Sequence, residues 1–459
     1  MEPIVTPEEM ATIDAAAPEP VEELIERAGA AVARVALQVM GGAYGRRVVV
    51  LAGKGNNGAD GRAAARRLER RGVRCQVVDV ASQPPVLPSC DLVVDAAYGT
   101  GFRGSFTPPA LPVPTPAVLA VDIASGVSGL TGEATGHPWP ARRTVTFAAR
   151  KPGLLLGDGA ELAGAVTVAD IGLDTSAARA HLVTATDVAG WLPERVPSTH
   201  KWRSACWIVA GSPGMGMTGA AHLAARSAQR GGAGYVRLSI PGAGDASGAP
   251  TEAVVTLLPA DEWAALVLDG LERFASLAVG PGLGTDAGGA DQIRHLVAGA
   301  PVPTVVDGNG LRALGSGAAG VIGRRSPGAG AVILTPHDGE YEALAGQPPS
   351  ADRFAAARRL SEETGAVVVL KGSTTLVARP DGHVWATTSG DARLATAGTG
   401  DVLTGCVAAL LAQGVPADLA AASAAHLHGR AGALASRHGL VAGDLVDHLP
   451  AALAELPGG

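Results

Sequence analysis

Residues 396–411, TAGTGDVLTGCVAALL, set one carboxylate, Asp401, in a glycine-bracketed turn at the mouth of an apolar helix. Glycine lets backbone N–H groups approach a phosphate, a helix N-terminus adds favourable partial charge, and a carboxylate held there can take a proton from a hydroxyl. That is the equipment of phosphoryl transfer. Upstream, Lys371, Gly372, Ser373, Thr374 and Thr375 follow an apolar run and bring a cation and hydroxyls, in an order that is not the G-x-x-x-x-G-K-[ST] phosphate loop. Thr335-Pro336-His337-Asp338-Gly339-Glu340 follows another such run, with His337 suited to an anion and Glu340 to a hydrated Mg²⁺. Gly282 and Gly284, in VGPGLG, end a further strand. Each segment alone has an ordinary explanation: a helix cap, a solvated strand-end lysine, a loop histidine, a glycine turn. Their conjunction favours a site.

The first half carries a second constellation. Gly53-Lys54-Gly55-Asn56-Asn57-Gly58-Ala59-Asp60 joins a strand to a helix. Asparagine amide oxygens with backbone carbonyls suit a weakly hydrated cation, and glycine N–H groups suit a pyrophosphate. The GxGxxG match at Gly53, Gly55 and Gly58 is weak by itself, and the asparagine pair with its glycine is equally a left-handed turn. Asp95 and Asp122 each end an apolar strand, where a carboxylate is as readily a strand-end cap as a site residue.

Such segments need a scaffold that aims strand ends at one crevice. From Val21, apolar residues recur at helical spacing until Gly41-Gly42 stops the pattern. Strand-like runs at 48–52, 76–80, 92–96 and 118–123, with an Ala/Arg-rich helix over about 61–71, imply a parallel sheet covered on both faces. Sites in these sheets lie beyond the carboxyl ends of the strands, which gathers the loops 53–60, 97–105 and 122–126 around one crevice. The proline- and charge-rich segment LPERVPSTHKWR reads as a boundary between domains 1–195 and 196–459. Beyond it the alternation restarts, with strands at 207–210, 235–240, 277–279, 304–307, 331–334 and 367–370, a strand pair around Pro380-Asp381-Gly382, and an Ala-rich helical C-terminal third. Both halves are α/β.

The 459-residue chain is 47% hydrophobic and 17% charged, the composition of folded globular domains. A net charge of −7 and a pI near 5.9 lack the basic footprint of a nucleic-acid or anionic-membrane partner. Cys75, Cys90, Cys206 and Cys406 stand singly, without metal-ligand spacing, and read as buried reduced thiols. The acidic start carries no basic-then-apolar leader, and no apolar run reaches about 18 residues, so the expected location is the cytoplasm. Lysine is confined to Lys54, Lys151, Lys201 and Lys371, three of which stand in or beside candidate site segments.

TPHDGE, KGSTT and AGTGDVLTG, after the AGS-loop-GAA start, resemble the ADP- or ATP-dependent NAD(P)H-hydrate dehydratases in order, over nearly all of 199–450. The resemblance implies a ribokinase-like domain in which Ala220, Gly284 and His337 contact the hydrated nicotinamide nucleotide. It further implies that Lys371, Gly372, Ser373, Thr374, Thr375, Thr399 and Gly400 hold the adenine nucleotide, that Asp401 touches the substrate as catalytic base, and that Mg²⁺ accompanies ADP or ATP. Two places depart from the family pattern: WRSAC after Lys201, and Asn309, where the family often carries a carboxylate.

GNNGADG, DAAYGTGF and VDIASG are similar, in order, to the three loops of the NAD(P)H-hydrate epimerase domain, over roughly 7–190, which implies a Rossmann-like fold. This resemblance implies K⁺ held by Asn57, Asp95 and Ser125. It implies substrate contacts from Asn56, Asn57, Gly58, Ala59 and Asp60, from Gly99, Thr100, Gly101, Phe102, Arg103, Gly104 and Ser105, and from Asp122, the expected acid/base group. Lys54, Ala59 and Ala124 depart from the usual residues of these loops. Joined, the halves resemble the bifunctional NAD(P)H-hydrate repair enzymes. The implied function is exchange of the R and S epimers of hydrated NADH and NADPH, then ADP-dependent dehydration of the S epimer to NAD(P)H, AMP and phosphate, in a homo-oligomer. The alternative is a vitamin-precursor or sugar kinase with a non-catalytic N-terminal binding module.

Overall fold

A computed structural model describes residues 1–194, 199–284 and 286–458. It divides into two compact units, Glu2–Ala180 and His181–Gly459 with Met1. The expected boundary between 195 and 196 lies outside the described residues.

In the first unit, six parallel strands run in the order Arg74–Asp79, Arg47–Ala52, Leu92–Ala96, Ala117–Val121, Arg143–Phe147 and Ala165–Ala169. The inner strands are buried on both faces, which is why they read as unbroken Val, Leu and Ala runs. The last two strands were not read from the sequence. The helix Val21–Met40 ends at Gly41, φ +70, as its apolar spacing predicts, and packs on the helix Asn56–Glu69. Gly29 permits the close approach, since a Cβ there would lie 2.5 Å from the Ala63 Cβ.

That second helix corrects one expectation. It begins at Asn56, with Gly55 as its extended cap, so Asn56, Asn57, Gly58, Ala59 and Asp60 form its first turns instead of a loop ahead of residue 61. The physical reason is a tight return of the chain: Gly58 presses on the Gly53 carbonyl where no Cβ fits, and the Ala59 N–H donates to the Gly55 carbonyl at 3.1 Å.

In the second unit the strands run Val384–Thr387, Thr375–Ala378, Val367–Leu370, Val332–Leu334, Thr304–Val306, Ser276–Val279, Ala205–Val209, Tyr235–Ser239 and Val254–Val255. Thr375–Ala378 pairs antiparallel with both Val384–Thr387 and Val367–Leu370, and the other pairings are parallel. The helices Thr218–Arg230, Thr399–Ala412, Ala417–Leu434 and Ala442–Ala454 pack together in one apolar cluster with the inner strands. Thr399–Ala412 is buried through most of its length, and each fully buried Val or Leu there contributes roughly 1.5–3 kcal/mol. This burial fixes where its first turn, with Asp401, must sit. All four cysteines are free thiols; Cys90, Cys206 and Cys406 are buried, whereas Cys75, on an edge strand, is only half-buried. Among the described residues no helix is long and apolar enough to cross a membrane.

Two candidate active sites

In the second unit, a cavity of about 850 Å³ is lined by residues that follow the strands Thr304–Val306, Val332–Leu334 and Val367–Leu370. Lys371, the first residue past its strand, places Nζ 3.0 Å from Asp307 Oδ1 and 3.4 Å from Glu340 Oε2. The buried Asp307 also accepts from Thr335 Oγ1 at 2.6 Å and Thr404 Oγ1 at 2.9 Å. Burial works against the Lys371 charge, but the two carboxylates outweigh it and raise its pKa. Lys371 is a fixed cation and not a solvated strand-end side chain.

The helix Thr399–Ala412 opens at Gly398, φ +89, with no side-chain cap. The left-handed cap position suits glycine, and the first-turn N–H groups of an uncapped helix form an anion site. Asp401 is the third helical residue and not the cap. Burial, then the nearby Asp307 and Glu340 charges, push its carboxyl up to about 7, with Lys371 opposing. A Cβ on Gly400 would stand 3.6 Å from both Asp307 Oδ2 and Lys371 Nζ, so glycine keeps that approach open. Thr399 Oγ1 ties the turn down through the Leu394 and Thr396 carbonyls at 2.8 and 2.9 Å, while the Thr399 carbonyl accepts from His428 Nε2 at 2.9 Å. Burial lowers the His428 pKa to about 4, so the ring is neutral with its proton on Nε2.

His337 caps the helix Asp338–Ala345: Nδ1 accepts from the Gly339 and Glu340 N–H groups at 3.0 and 3.3 Å. Its Nε2 lies 3.5 Å from Glu340 Oε1. Glu340 Oε2 faces Lys371 and accepts from the His337 N–H at 3.0 Å.

The structure brings His337, Lys371, Gly372, Ser373, Thr375, Thr399, Gly400 and Asp401 around this one cavity. It does not bring Thr374, which is buried, or Ala220 and Gly284 to the cavity wall. Ala220 packs beneath the Gly282 turn, and Gly284 lies beside Asp286 and Met215. Asp307 and Thr404, which anchor Lys371 and its partner, were missed as site residues. The signal for Asp307 was present, since it ends an apolar strand just as Asp95 and Asp122 do.

In the first unit a cavity of about 1080 Å³ is lined by Asn56, Asn57, Asp60, Asp122 and the loop from Gly99 to Arg103, with Asp14 and Lys151. Asp122 adopts φ +67, a left-handed conformation uncommon outside glycine that asparagine and aspartate tolerate best. Its Oδ1 lies 2.8 Å from Lys151 Nζ and accepts from Thr146 Oγ1 at 2.9 Å; Oδ2 accepts from the Thr100 N–H at 3.4 Å. Burial opposes ionisation, but Lys151 and these donors win, holding the carboxyl below its ordinary range. Lys151 is almost fully buried and also reaches Thr146 Oγ1 at 2.8 Å and the Phe147 carbonyl at 3.1 Å. Asp60 is pushed up to about 8 by burial, then by Asp122 and Asp14.

Behind this wall, Asp95 Oδ1 accepts from Ser125 Oγ at 2.6 Å and Oδ2 from the Ser125 N–H at 2.9 Å. Burial raises the Asp95 pKa, with the Ser125 bonds opposing. The Asn57 amide is buried, and among the described residues neither Oδ1 nor Nδ2 has a partner. An orphaned amide oxygen, with a carboxylate and a hydroxyl also buried in this unit, has the chemistry to suit a hard monovalent cation. Gly58, Ala59, Gly104 and Ser105 do not line the cavity, Gly58 being spent on its contact with Gly53. Lys151 and Asp14 escaped the sequence reading as site residues, although the scarcity of lysine pointed toward the former.

A family model described as NAD(P)H-hydrate dehydratase matches residues 206–454, and one described as YjeF-related protein N-terminus matches 21–89 and 78–153. The bifunctional NAD(P)H-hydrate repair enzyme of Moorella thermoacetica is 36% identical, covering 99% of this chain and 97% of its own. That of Escherichia coli K12 is 32% identical, over 93% and 88%. Among solved structures, the ADP/ATP-dependent NAD(P)H-hydrate dehydratase of Bacillus subtilis, co-crystallised with ATP/Mg²⁺, is 29% identical with a TM-score of 0.50, covering 60% of this chain and 98% of that one. A ribokinase-like superfamily protein from Enterococcus faecalis V583, 22% identical with a TM-score of 0.53, shares the fold over 61% of this chain and 97% of its own.

Proposed function

The chain belongs to the bifunctional NAD(P)H-hydrate repair enzymes, and from that membership we propose that residues 196–459 dehydrate hydrated NADH and NADPH with ADP while residues 1–195 exchange the R and S epimers. Hydration leaves a hydroxyl at C6 of the nicotinamide ring, and hydroxide is a poor leaving group. Asp401 takes the proton of that hydroxyl as its oxygen attacks the terminal phosphorus of ADP, and AMP departs. The ring nitrogen lone pair then expels phosphate from C6, and loss of a proton from C5 restores the double bond. Lys371 and the N–H groups that open the helix Thr399–Ala412 face the phosphate oxygens.

One observation carries this reading: a carboxyl poised at about 7 shares a cavity with a fixed lysine and an uncapped helix N-terminus. A base with that pKa is half ionised at neutral pH, where general-base efficiency is highest. Asp307 and Glu340 offer the carboxylate oxygens that would hold Mg²⁺, which offsets phosphate charge when bound with the nucleotide. Asn57, Asp95 and Ser125 would hold K⁺, which supplies positive charge beside the buried carboxylates. Family resemblance further supports a homo-oligomer with ADP or ATP as phosphoryl donor, and the acidic start without a basic-then-apolar leader supports a cytoplasmic location.

The test mixes chemically prepared hydrated NADH with the protein, ADP and Mg²⁺, and follows absorbance at the reduced-nicotinamide band. Recovery of that band with release of AMP is expected. A stable phosphorylated product without recovery would make the second unit a kinase instead.

A further inference from the structure

Asp60 lies on the second turn of the helix Asn56–Glu69, 7% exposed, with its carboxyl on the wall of the first unit's cavity. Among the described residues it has no hydrogen-bond or ion-pair partner, which for a buried carboxyl demands a reason. Across the same cavity Asp122 has three partners, one of them the buried ammonium of Lys151. One carboxyl is thus left bare and the other is saturated.

Resting on the epimerase reading of this unit, we propose that Asp60 and Asp122 form an acid and base pair that opens and recloses the hydrated nicotinamide ring, Asp60 donating a proton to the ring nitrogen while Asp122 accepts one from the C6 hydroxyl. Asp122 removes the hydroxyl proton; the oxygen forms C6=O as the C6–N1 bond breaks, and the electron pair passes to N1, which takes the proton of Asp60. Rotation about the C5–C6 bond presents the other face of the aldehyde. In closure the Asp60 carboxylate takes back the N1 proton, N1 attacks C6, and the carbonyl oxygen recovers its proton from Asp122. Both carboxyls end as they began, and no oxidant or co-reactant is consumed.

The surroundings set the two resting states. Asp60 faces the negative charges of Asp122 and Asp14 and, with a pKa of about 8, holds its proton at neutral pH. Asp122 is kept ionised by Lys151, Thr146 and Thr100. Glu19, Lys54 and Arg103 are the further charged groups on the cavity wall. Two titratable groups whose environments drive their pKa values apart are the arrangement an acid/base pair requires.

The experiment uses the full chain with purified R epimer of hydrated NADH and follows appearance of S by chromatography, comparing the parent protein with Asp60→Asn. Exchange by the variant is expected to slow about 10²- to 10⁴-fold with little change in KM. The infrared difference between the two proteins at neutral pH is expected to show a protonated carboxyl band that only the parent carries. Parent-like exchange in the variant, or the absence of that band, overturns the proposal while leaving the epimerase reading intact. A parent protein that fails to interconvert the epimers overturns both. Thermal unfolding shows whether the variant is folded, and Asp60→Ser, which removes the carboxyl and keeps a hydroxyl, carries the same expectations should the amide fail to fold.

Discussion

Each unit places a lysine among carboxylates beyond the ends of parallel strands, but the two lysines are allotted differently. In the first unit Lys151 lies 2.8 Å from Asp122, the proposed base, and holds it ionised. In the second, Lys371 is engaged by Asp307 and Glu340, and burial, with the charges of those two carboxylates, pushes Asp401 up to about 7 against the opposing lysine. A lysine in the cavity does not by itself set a carboxyl's protonation; burial, and which carboxylate the ammonium pairs with, do. Both proposed bases act on the same hemiaminal hydroxyl, and their surroundings leave one poised near neutral pH and hold the other ionised.

Four measurements test that contrast, and the largest effect belongs to Asp401→Asn. Nucleotide-dependent dehydration should fall by about 10²- to 10⁴-fold, with exchange of epimers by the other unit retained. Near-normal dehydration in this variant would remove Asp401 from the role of base.

Next, Asp122→Ala should slow conversion of R to S by at least about 10²-fold while dehydration of pure S substrate continues. An unaltered exchange rate would mean that the Lys151 pair serves the fold and not the reaction.

Stability against pH separates the two carboxyls by sign. The folded pKa of Asp401 is raised from 3.8 to about 7, so its contribution is fully present below 3.8 and is lost as pH rises through about 7. Above that pH Asp401→Asn should therefore melt higher than the parent, the gap growing by at most about 1.4 kcal/mol per pH unit across the window. For Asp122 the folded pKa is depressed, so its contribution is present above the ordinary carboxylate value and is lost as pH falls through the lower one. Asp122→Asn, whose amide tolerates the left-handed backbone, should melt lower than the parent at neutral pH and converge with it in acid. Scanning calorimetry across pH checks both, and shifts of the same sign would refute the contrast.

The smallest effect is expected of Gly400→Ala. A methyl there meets Asp307 and Lys371 at 3.6 Å, an ordinary contact, and alanine is better in a helix by about 1 kcal/mol, so the fold should be slightly more stable. The same methyl occupies the approach to the helix N-terminus, and titration calorimetry should show weaker ADP binding. Undiminished binding would place the phosphates elsewhere.

Much of the scaffold was legible because buried parallel strands are unbroken apolar runs; Val367–Leu370 was read to the residue. The strands Arg143–Phe147 and Ala165–Ala169 escaped because threonine alternation in the first and a partly exposed edge in the second dilute that signal. The start of the helix at Asn56 was misread because asparagine and glycine are turn formers locally, whereas a backbone contact between Gly58 and Gly53 outweighs that preference. Ala220 and Gly284, assigned by resemblance to the substrate, do not line the wall that carries Asp401.

Residue order alone specifies the pieces: two α/β halves, glycines where phosphate or backbone must come close, and Asp401 and Asp122 at an element end, because these depend on periodicity and local conformational preference. Protonation and partnership come from the folded arrangement: Lys151 with Asp122, Lys371 with Asp307 and Glu340, and Asp60 with no partner among the described residues. Those outcomes depend on burial and on distances of a few ångströms between residues far apart in the chain, and Coulomb interactions at that range in a desolvated cavity vary too steeply with position for residue order to fix them.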